Sequence, residues 1–88
     1  MTHRIVDVSF KQWKEEIARE LENNVKKRDR VIVFPELGIY CFWHSDRYLC
    51  KPFDGDWQLE YSNAGDVARM VVVQGVTSYV ITRVAPPS

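Results

Sequence analysis

The first regular pattern in the chain is helical and runs from Phe10 to Lys27. Ser9 and Gln12 open it with the pattern of a capping box, in which each side chain bonds the other residue's backbone N–H. Apolar residues then recur at spacings of three and four, namely Phe10, Trp13, Ile17, Leu21 and Val25. That spacing places them in one stripe of an α-helix. The pattern predicts a helix over residues 10–27.

The next segment alternates between β-prone runs and turn signals. The turn signals are Pro35 with Gly38, the pair Ser45-Asp46, and Asp54-Gly55, which is typical of a two-residue type I′ hairpin. The pattern therefore predicts a meander of four strands. These lie at Val31–Phe34, Ile39–His44, Arg47–Pro52 and Trp57–Tyr61.

The lengths of the three turns fix which residues lie opposite each other. A four-residue turn after Phe34 pairs it with Ile39, and a two-residue turn at Ser45-Asp46 pairs Cys41 with Cys50. A two-residue turn at Asp54-Gly55 pairs Cys50 in turn with Leu59. The three registers agree with one another, so side chains can be assigned to two faces.

One face of the predicted sheet is almost wholly apolar and is expected to pack against the helix. Its members are Ile32, Phe34, Ile39, Cys41, Trp43, Tyr48, Cys50, Trp57, Leu59 and Tyr61. The other face is mixed, with an apolar and aromatic end and a polar end. Its members are Val31, Val33, Tyr40, Phe42, His44, Leu49, Lys51, Gln58 and Glu60.

The remaining segments complete an α+β fold. Asn63 is placed to cap a second helix over Ala64–Gln74, although the β-branched run 71–73 leaves a hairpin at Gln74-Gly75 as the alternative. The pattern predicts a last strand over residues 76–84 and a loose tail over residues 85–88. It also predicts a short first strand at Ile5, Val6 and Val8. We expect one domain over residues 1–88, a long N-terminal helix packed on a mostly antiparallel sheet, in the order β-α-β-β-β-β-α-β.

Composition and charge exclude several classes of protein. The 88 residues carry 12 basic and 12 acidic side chains, too balanced for a strongly basic nucleic-acid-binding protein. An aromatic content of 12% argues against disorder, and the length argues against two domains. Since no uncharged run reaches the roughly 18 residues of a membrane span, we expect no membrane contact and a cytoplasmic location.

Cys41, Cys50 and His44 are the side chains that could bind a metal ion or act as a nucleophile and its base. Cys41 and Cys50 share the apolar face, whereas His44, three residues beyond Cys41, points to the opposite one. Converging zinc ligands and a Cys-His nucleophile are therefore both disfavoured. We expect no metal, no cofactor and no enzyme activity. The two thiols are expected to be buried as small apolar groups, with a cross-strand disulfide as the alternative.

The mixed face carries the leading hypothesis of function. It contains a contiguous apolar patch that is either covered by the second helix or a terminal segment, or is an exposed interaction surface. In the second case the protein is a non-catalytic interaction protein that forms a homodimer or binds a partner protein. The candidate partner-binding residues are Val31, Val33, Tyr40, Phe42, His44, Leu49 and Lys51.

Two further hypotheses remain open. In one, Trp43, Tyr48, Trp57 and Tyr61 line an aromatic pocket for a small ligand between sheet and helix. In the other, the basic cluster at residues 26–30 and neighbouring aromatics bind single-stranded nucleic acid. Zero net charge makes nucleic acid the least favoured partner.

Overall fold

The computed structural model describes residues 2–4 as backbone and residues 9–83 with their side chains. It confirms the predicted α+β class and the predicted order of elements. The strands are β1 (Thr2–Arg4), β2 (Val31–Phe34), β3 (Ile39–His44), β4 (Arg47–Pro52), β5 (Leu59–Tyr61) and β6 (Ser78–Thr82). The helices are α1 (Phe10–Glu20), which continues as a π-helical segment (Leu21–Lys26), and α2 (Ala64–Val73). The predicted strand residues Ile5, Val6 and Val8, and the predicted tail at 85–88, lie outside the described residues.

The strands form one six-stranded sheet in the order β1-β6-β2-β3-β4-β5, with antiparallel pairing throughout. The registers derived from turn lengths are confirmed. Phe34 lies opposite Ile39, Cys41 opposite Cys50, and Cys50 opposite Leu59. The last strand enters the sheet between the first two, because the chain returns through α2 to the far side of β2.

The first helix begins as its sequence predicts and ends differently. Ser9 Oγ accepts a hydrogen bond from the Gln12 N–H at 3.2 Å, and the Gln12 side chain accepts one from the Ser9 N–H, also at 3.2 Å. The last part is wider than an α-helix, since the Lys27 N–H bonds the carbonyl of Glu22, five residues earlier. Asp29 then turns the chain out of the helix with a positive φ of 55°.

The second helix is capped by Asn63, whose side-chain oxygen accepts a hydrogen bond from the Asp66 N–H at 2.9 Å. The helical prediction for this segment is therefore confirmed, and the hairpin alternative is wrong. Both helices pack on the same face of the sheet and form a single core with it. Both helices and the sheet contribute residues to it: Trp13, Ile17, Leu21 and Val25; Ala64, Val67, Ala68 and Val71; and Ile32, Phe34, Cys41, Tyr48 and Tyr79.

The predicted turn at Asp54-Gly55 is wrong in its length. The ladder between β4 and β5 begins only at Cys50 and Leu59, so the chain between the strands makes a wider loop while keeping the predicted register. Gly55 has no positive φ there. It is required for space, since a Cβ would lie 2.8 Å from Pro52 Cγ.

Two residues assigned to the core face are exposed in consequence. Trp57 lies in the wider loop and is 48% exposed, and Leu59, on the edge strand, is 41% exposed. Trp43 and Tyr61, from the same predicted set, are partly buried against the core. The prediction that this face is covered throughout is therefore wrong at its β5 edge.

Candidate functional site

The candidate surface is the sheet face that points away from both helices, here called the open face. Residues paired directly across antiparallel strands share a face. The pairings therefore bring together on it all seven predicted partner-binding residues: Val31, Val33, Tyr40, Phe42, His44, Leu49 and Lys51. Val80 and Thr82 of β6 and Glu60 of β5 join them. Among residues 9–83, no helix covers this face, so α2 is not the cover that the sequence left possible.

Three aliphatic side chains form the floor of the open face. Val31, Val33 and Leu49 are only 7–8% exposed, although they do not belong to the helix-side core. Each has neighbours directly across the strands: Val31 lies beside Thr82, Val33 between Tyr40 and Val80, and Leu49 between Phe42 and Glu60. The floor is thus packed laterally.

An aromatic row stands above this floor. The ring centroids of Tyr40 and Phe42 lie 6.0 Å apart with planes 19° from parallel. Those of Tyr40 and Phe53 lie 6.5 Å apart with planes at 21°. All three rings are partly exposed, and the Lys51 ammonium lies 5.9 Å from the Phe42 ring centre. The row offers a rigid apolar strip with one cation at its edge.

Phe53 was missed as a member of this surface. It follows Pro52, where the predicted strand stopped, but it continues the period-two alternation of Leu49 and Lys51. Its backbone N–H still donates to the Gly38 carbonyl at 2.9 Å, so the pairing extends one residue further. Carrying the alternation one residue past the proline would have found it.

The polar end of the open face carries an ion pair. The Arg47 guanidinium bonds the Glu60 carboxylate, and this bond, with a further one from Gln58, holds the pKa of Glu60 below its usual value. His44 lies exposed beside them. An open groove of about 360 Å³ runs along this end, lined by Asp46, Arg47, Glu60, Tyr61 and Ser62. These groups are the rim of the surface.

Charged side chains lie at both ends of the strands. The end that carries His44 and Arg47 is mixed, since Asp46 and Glu60 lie there too, and Arg30 and Arg83 are adjacent in the sequence to the open-face residues Val31 and Thr82 and so fall on the other face. The opposite end carries acidic side chains in its two turns. These are Glu36 between β2 and β3, and Asp54 and Asp56 between β4 and β5.

The predicted ligand pocket is only partly assembled. Tyr48 is 1% exposed, and the Trp43 ring meets it edge-on with centroids 4.7 Å apart. Tyr61 lies directly across from Tyr48. Trp57, in contrast, lies near Gly55 and Pro52, and Pro52 is four residues along β4 from Tyr48, a distance of about 13 Å. The structure therefore brings Trp43, Tyr48 and Tyr61 together but does not bring Trp57 to them, which corrects the sequence interpretation.

The ring face of Trp43 is in contact with a cation, whereas the Tyr48 hydroxyl is unpaired within residues 9–83. The Lys26 ammonium lies 4.6 Å from the Trp43 ring centre, so a cation of the protein occupies that ring face. The buried Tyr48 hydroxyl has no hydrogen-bond partner among the described residues. Burial, with a smaller contribution from the Glu22 charge, raises the pKa of Tyr48 to about 12.

A clasp that sequence reasoning missed joins two loops. Glu36 accepts four hydrogen bonds, from the N–H and hydroxyl groups of Thr77 and Ser78, at 2.8–3.0 Å. Desolvation alone would raise the pKa of Glu36, but these bonds outweigh it and hold the pKa below its usual value. The partners lie 41 and 42 residues away along the chain, so no local signal announces the contact.

The structure does not assemble a metal site from the candidates. Cys41 and Cys50 are buried free thiols on the helix side, and His44 is exposed on the open face. In the part of the chain that the structure describes, no three His, Cys, Asp or Glu side chains converge for a metal ion. Nor do the described residues include a helix that is long and apolar enough to cross a membrane.

No protein-family model matches this chain, and no curated protein or solved structure matches it significantly. No relative therefore suggests a ligand or a reaction. Function has to be inferred from the open face and from the groups that surround it.

Proposed function

We propose that the protein is a non-catalytic interaction protein that forms a homodimer through the open face. The observation that carries the proposal is the partly exposed aromatic row of Tyr40, Phe42 and Phe53, on a face that no described helix covers. We also propose a cytoplasmic location, since two cysteines are too few for a secreted disulfide scaffold.

The composition of the open face supports an interface. Aromatic residues are enriched at protein interfaces and supply most of the energy at their centres, whereas Lys and Glu are depleted there. Tyr40 and Phe42 lie at the centre of the open face, and Lys51, Glu60 and His44 lie toward its edge. The packed floor beneath the rings limits the entropy that binding would cost.

A second copy of the chain is an occupant that the net charge permits. The net charge is zero, so two copies do not repel at long range. Each open face presents the same apolar row, so two copies can bury these rows against each other.

The size of the open face sets the expected affinity. Neighbouring strands lie about 4.8 Å apart, and each strand rises about 3.4 Å per residue. Four strands of up to six residues therefore present a face of roughly 20 by 20 Å. Stable interfaces bury about 800 Å² per partner. The open face, with a flat outline of about 400 Å², has about half of that area, so we expect weak association, with a dissociation constant in the micromolar range.

Light scattering on a sizing column tests the proposal. The wild type should change from monomer to dimer between about 1 µM and about 1 mM, the interval that brackets micromolar affinity. Phe42→Asp and Tyr40→Asp should remain monomeric and folded. Val73→Asp is the matched control, because Val73 is exposed on α2, away from the open face, and this variant should dimerise normally.

Two outcomes would contradict the proposal. One is a wild type that is monomeric at every concentration, which would leave a different protein or a single-stranded nucleic acid as the occupant. The other is unfolding of both Asp variants, which would make Tyr40 and Phe42 parts of the core. Circular dichroism of the same samples separates loss of dimer from loss of fold.

A further inference from the structure

Cys41 and Cys50 lie directly opposite each other at the centre of the sheet. Both are fully buried on the helix side, and both are free thiols. The open-face proposal does not use this pair.

The type of strand pair that holds the two cysteines follows from the ladder. The Phe53 N–H bonds the Gly38 carbonyl, so position 53 and position 38 form a hydrogen-bonded pair. Hydrogen-bonded and non-hydrogen-bonded pairs alternate along antiparallel strands. Pro52 and Ile39 are then a non-hydrogen-bonded pair, as a residue without an N–H requires, and so are Cys50 and Cys41.

A non-hydrogen-bonded pair has the separation that a disulfide needs. Its Cα atoms lie about 4.5 Å apart, within the range of about 4.4–6.8 Å that disulfides span. We propose that Cys41 and Cys50 are a modification site, at which exchange with a low-molecular-weight disulfide such as glutathione disulfide forms an intramolecular bond. The bond closes across β3 and β4 without a shift in register.

The exchange proceeds in two balanced steps. The thiolate of one cysteine attacks glutathione disulfide, forms a mixed disulfide and releases one glutathione thiolate. The thiolate of the other cysteine then displaces the second glutathione. Both cysteine sulfurs are oxidised, glutathione disulfide is reduced to two glutathiones, and the two protons lost by the protein thiols end on them.

Burial of the two thiols makes the reaction slow, and the edge strand β5 is where glutathione disulfide can reach them. Desolvation and the neighbouring Cys50 thiol raise the pKa of Cys41 well above its usual value, so the attacking thiolate is rare in the closed fold. The partner of Cys50 on its other side is Leu59, which belongs to the three-residue edge strand and is exposed. Opening of that short strand uncovers Cys50 first.

The test measures the equilibrium constant for disulfide formation with glutathione. The full chain is equilibrated at several ratios of reduced to oxidised glutathione, in native buffer and in about 6 M guanidinium chloride. Samples are quenched in acid, alkylated and weighed by mass spectrometry. The constant should be at least about tenfold larger in the native protein, because the fold holds the thiols together. Each equilibrium is approached twice, once from the reduced protein and once from protein oxidised in denaturant. Slow access of glutathione to the buried thiols is then not mistaken for a small equilibrium constant.

Cys41→Ser and Cys50→Ser are the matched controls. Each keeps one thiol and should yield only a mixed disulfide with glutathione, at a level that reduced glutathione reverses. The oxidised wild type should unfold at a temperature higher by roughly 5–15 °C. A native constant equal to or below that in denaturant, or a wild type that stops at the mixed disulfide, would overturn the proposal.

Discussion

The rings of Tyr40 and Phe42 lie 6.0 Å apart and nearly parallel on the face of the sheet that points away from both helices. If this face is the dimer interface, Phe42→Ala should raise the dimer dissociation constant at least about tenfold, as expected for a central aromatic anchor. The loss of folding stability should be small, about 1 kcal/mol, because the ring is already partly exposed. Phe10→Ala is the control, since Phe10 is 50% exposed on α1. An equal effect of the two substitutions on association would contradict the assignment.

The clasp at Glu36 predicts a dependence of stability on pH. The folded-state pKa of Glu36 is lowered, so folding favours its carboxylate. Its contribution is therefore fully present above the usual value of 4.5 and is lost as the pH falls through the lower folded value. At pH 7, Glu36→Gln should lower the midpoint of thermal unfolding by about 2–5 °C, because an amide cannot accept all four bonds.

The difference between wild type and Glu36→Gln should shrink as the pH is lowered from 7 to about 3, a window that covers the titration of a carboxylate. Glu15→Gln, an exposed residue of α1, removes the same charge without touching the clasp. Thermal unfolding followed by circular dichroism at each pH measures all three proteins. If the unfolding midpoints of wild type and Glu36→Gln differed by the same amount at every pH, the charged carboxylate would not be the group that stabilises the contact between the two loops.

Two buried tyrosines should respond in opposite ways to loss of the hydroxyl. The Tyr48 hydroxyl has no hydrogen-bond partner within residues 9–83, so Tyr48→Phe should leave stability unchanged or increase it by about 1 kcal/mol. The Tyr79 hydroxyl bonds the Glu16 carboxylate at 3.2 Å, so Tyr79→Phe should cost about 1 kcal/mol. Unfolding in urea at neutral pH measures both. A larger cost for Tyr48→Phe than for Tyr79→Phe would show that the Tyr48 hydroxyl has a partner after all.

The turn between β3 and β4 should become more stable when its two residues are replaced by ones that adopt positive φ more readily. Ser45 and Asp46 both have positive φ, 51° and 63°, as a type I′ turn requires. Neither is the preferred residue, so Ser45→Asn combined with Asp46→Gly should stabilise the protein by about 0.5–1 kcal/mol. Asp29→Gly tests the remaining positive φ among the described non-glycine residues, 55°, and should also stabilise the protein. Destabilisation by the Asn-Gly turn would mean that Ser45 or Asp46 contributes contacts beyond the turn itself.

Much of the fold could be predicted because its helices and turns depend on residues that are close together in the sequence. The Ser9 capping box and the spacing of apolar residues define α1, and short turns fix the register that pairs Cys41 with Cys50. The same alternation placed Tyr40 and Phe42 on the face away from the helices. Whether this surface binds a second copy stays a prediction.

The features that escaped the sequence depend on distant contacts or on loop shape. The insertion of β6 between β1 and β2 brings Val80 beside Val33, and nothing near either residue encodes it. Glu36 meets Thr77 across 41 residues for the same reason. Trp57 was misplaced because the loop around Gly55 is wider than two residues, which keeps the register but frees the tryptophan.

The most direct test of the open face as a dimer interface is a dilution series of ¹⁵N–¹H correlation spectra. Between about 1 mM and about 20 µM, a range that crosses micromolar affinity, amide shifts should move for Tyr40, Phe42, Leu49 and Lys51. The exposed helix positions Phe10 and Val73 should stay fixed, since both helices lie on the other side of the sheet. Spectra that do not change with concentration, or changes confined to Trp57, Leu59 and the helices, would contradict the account.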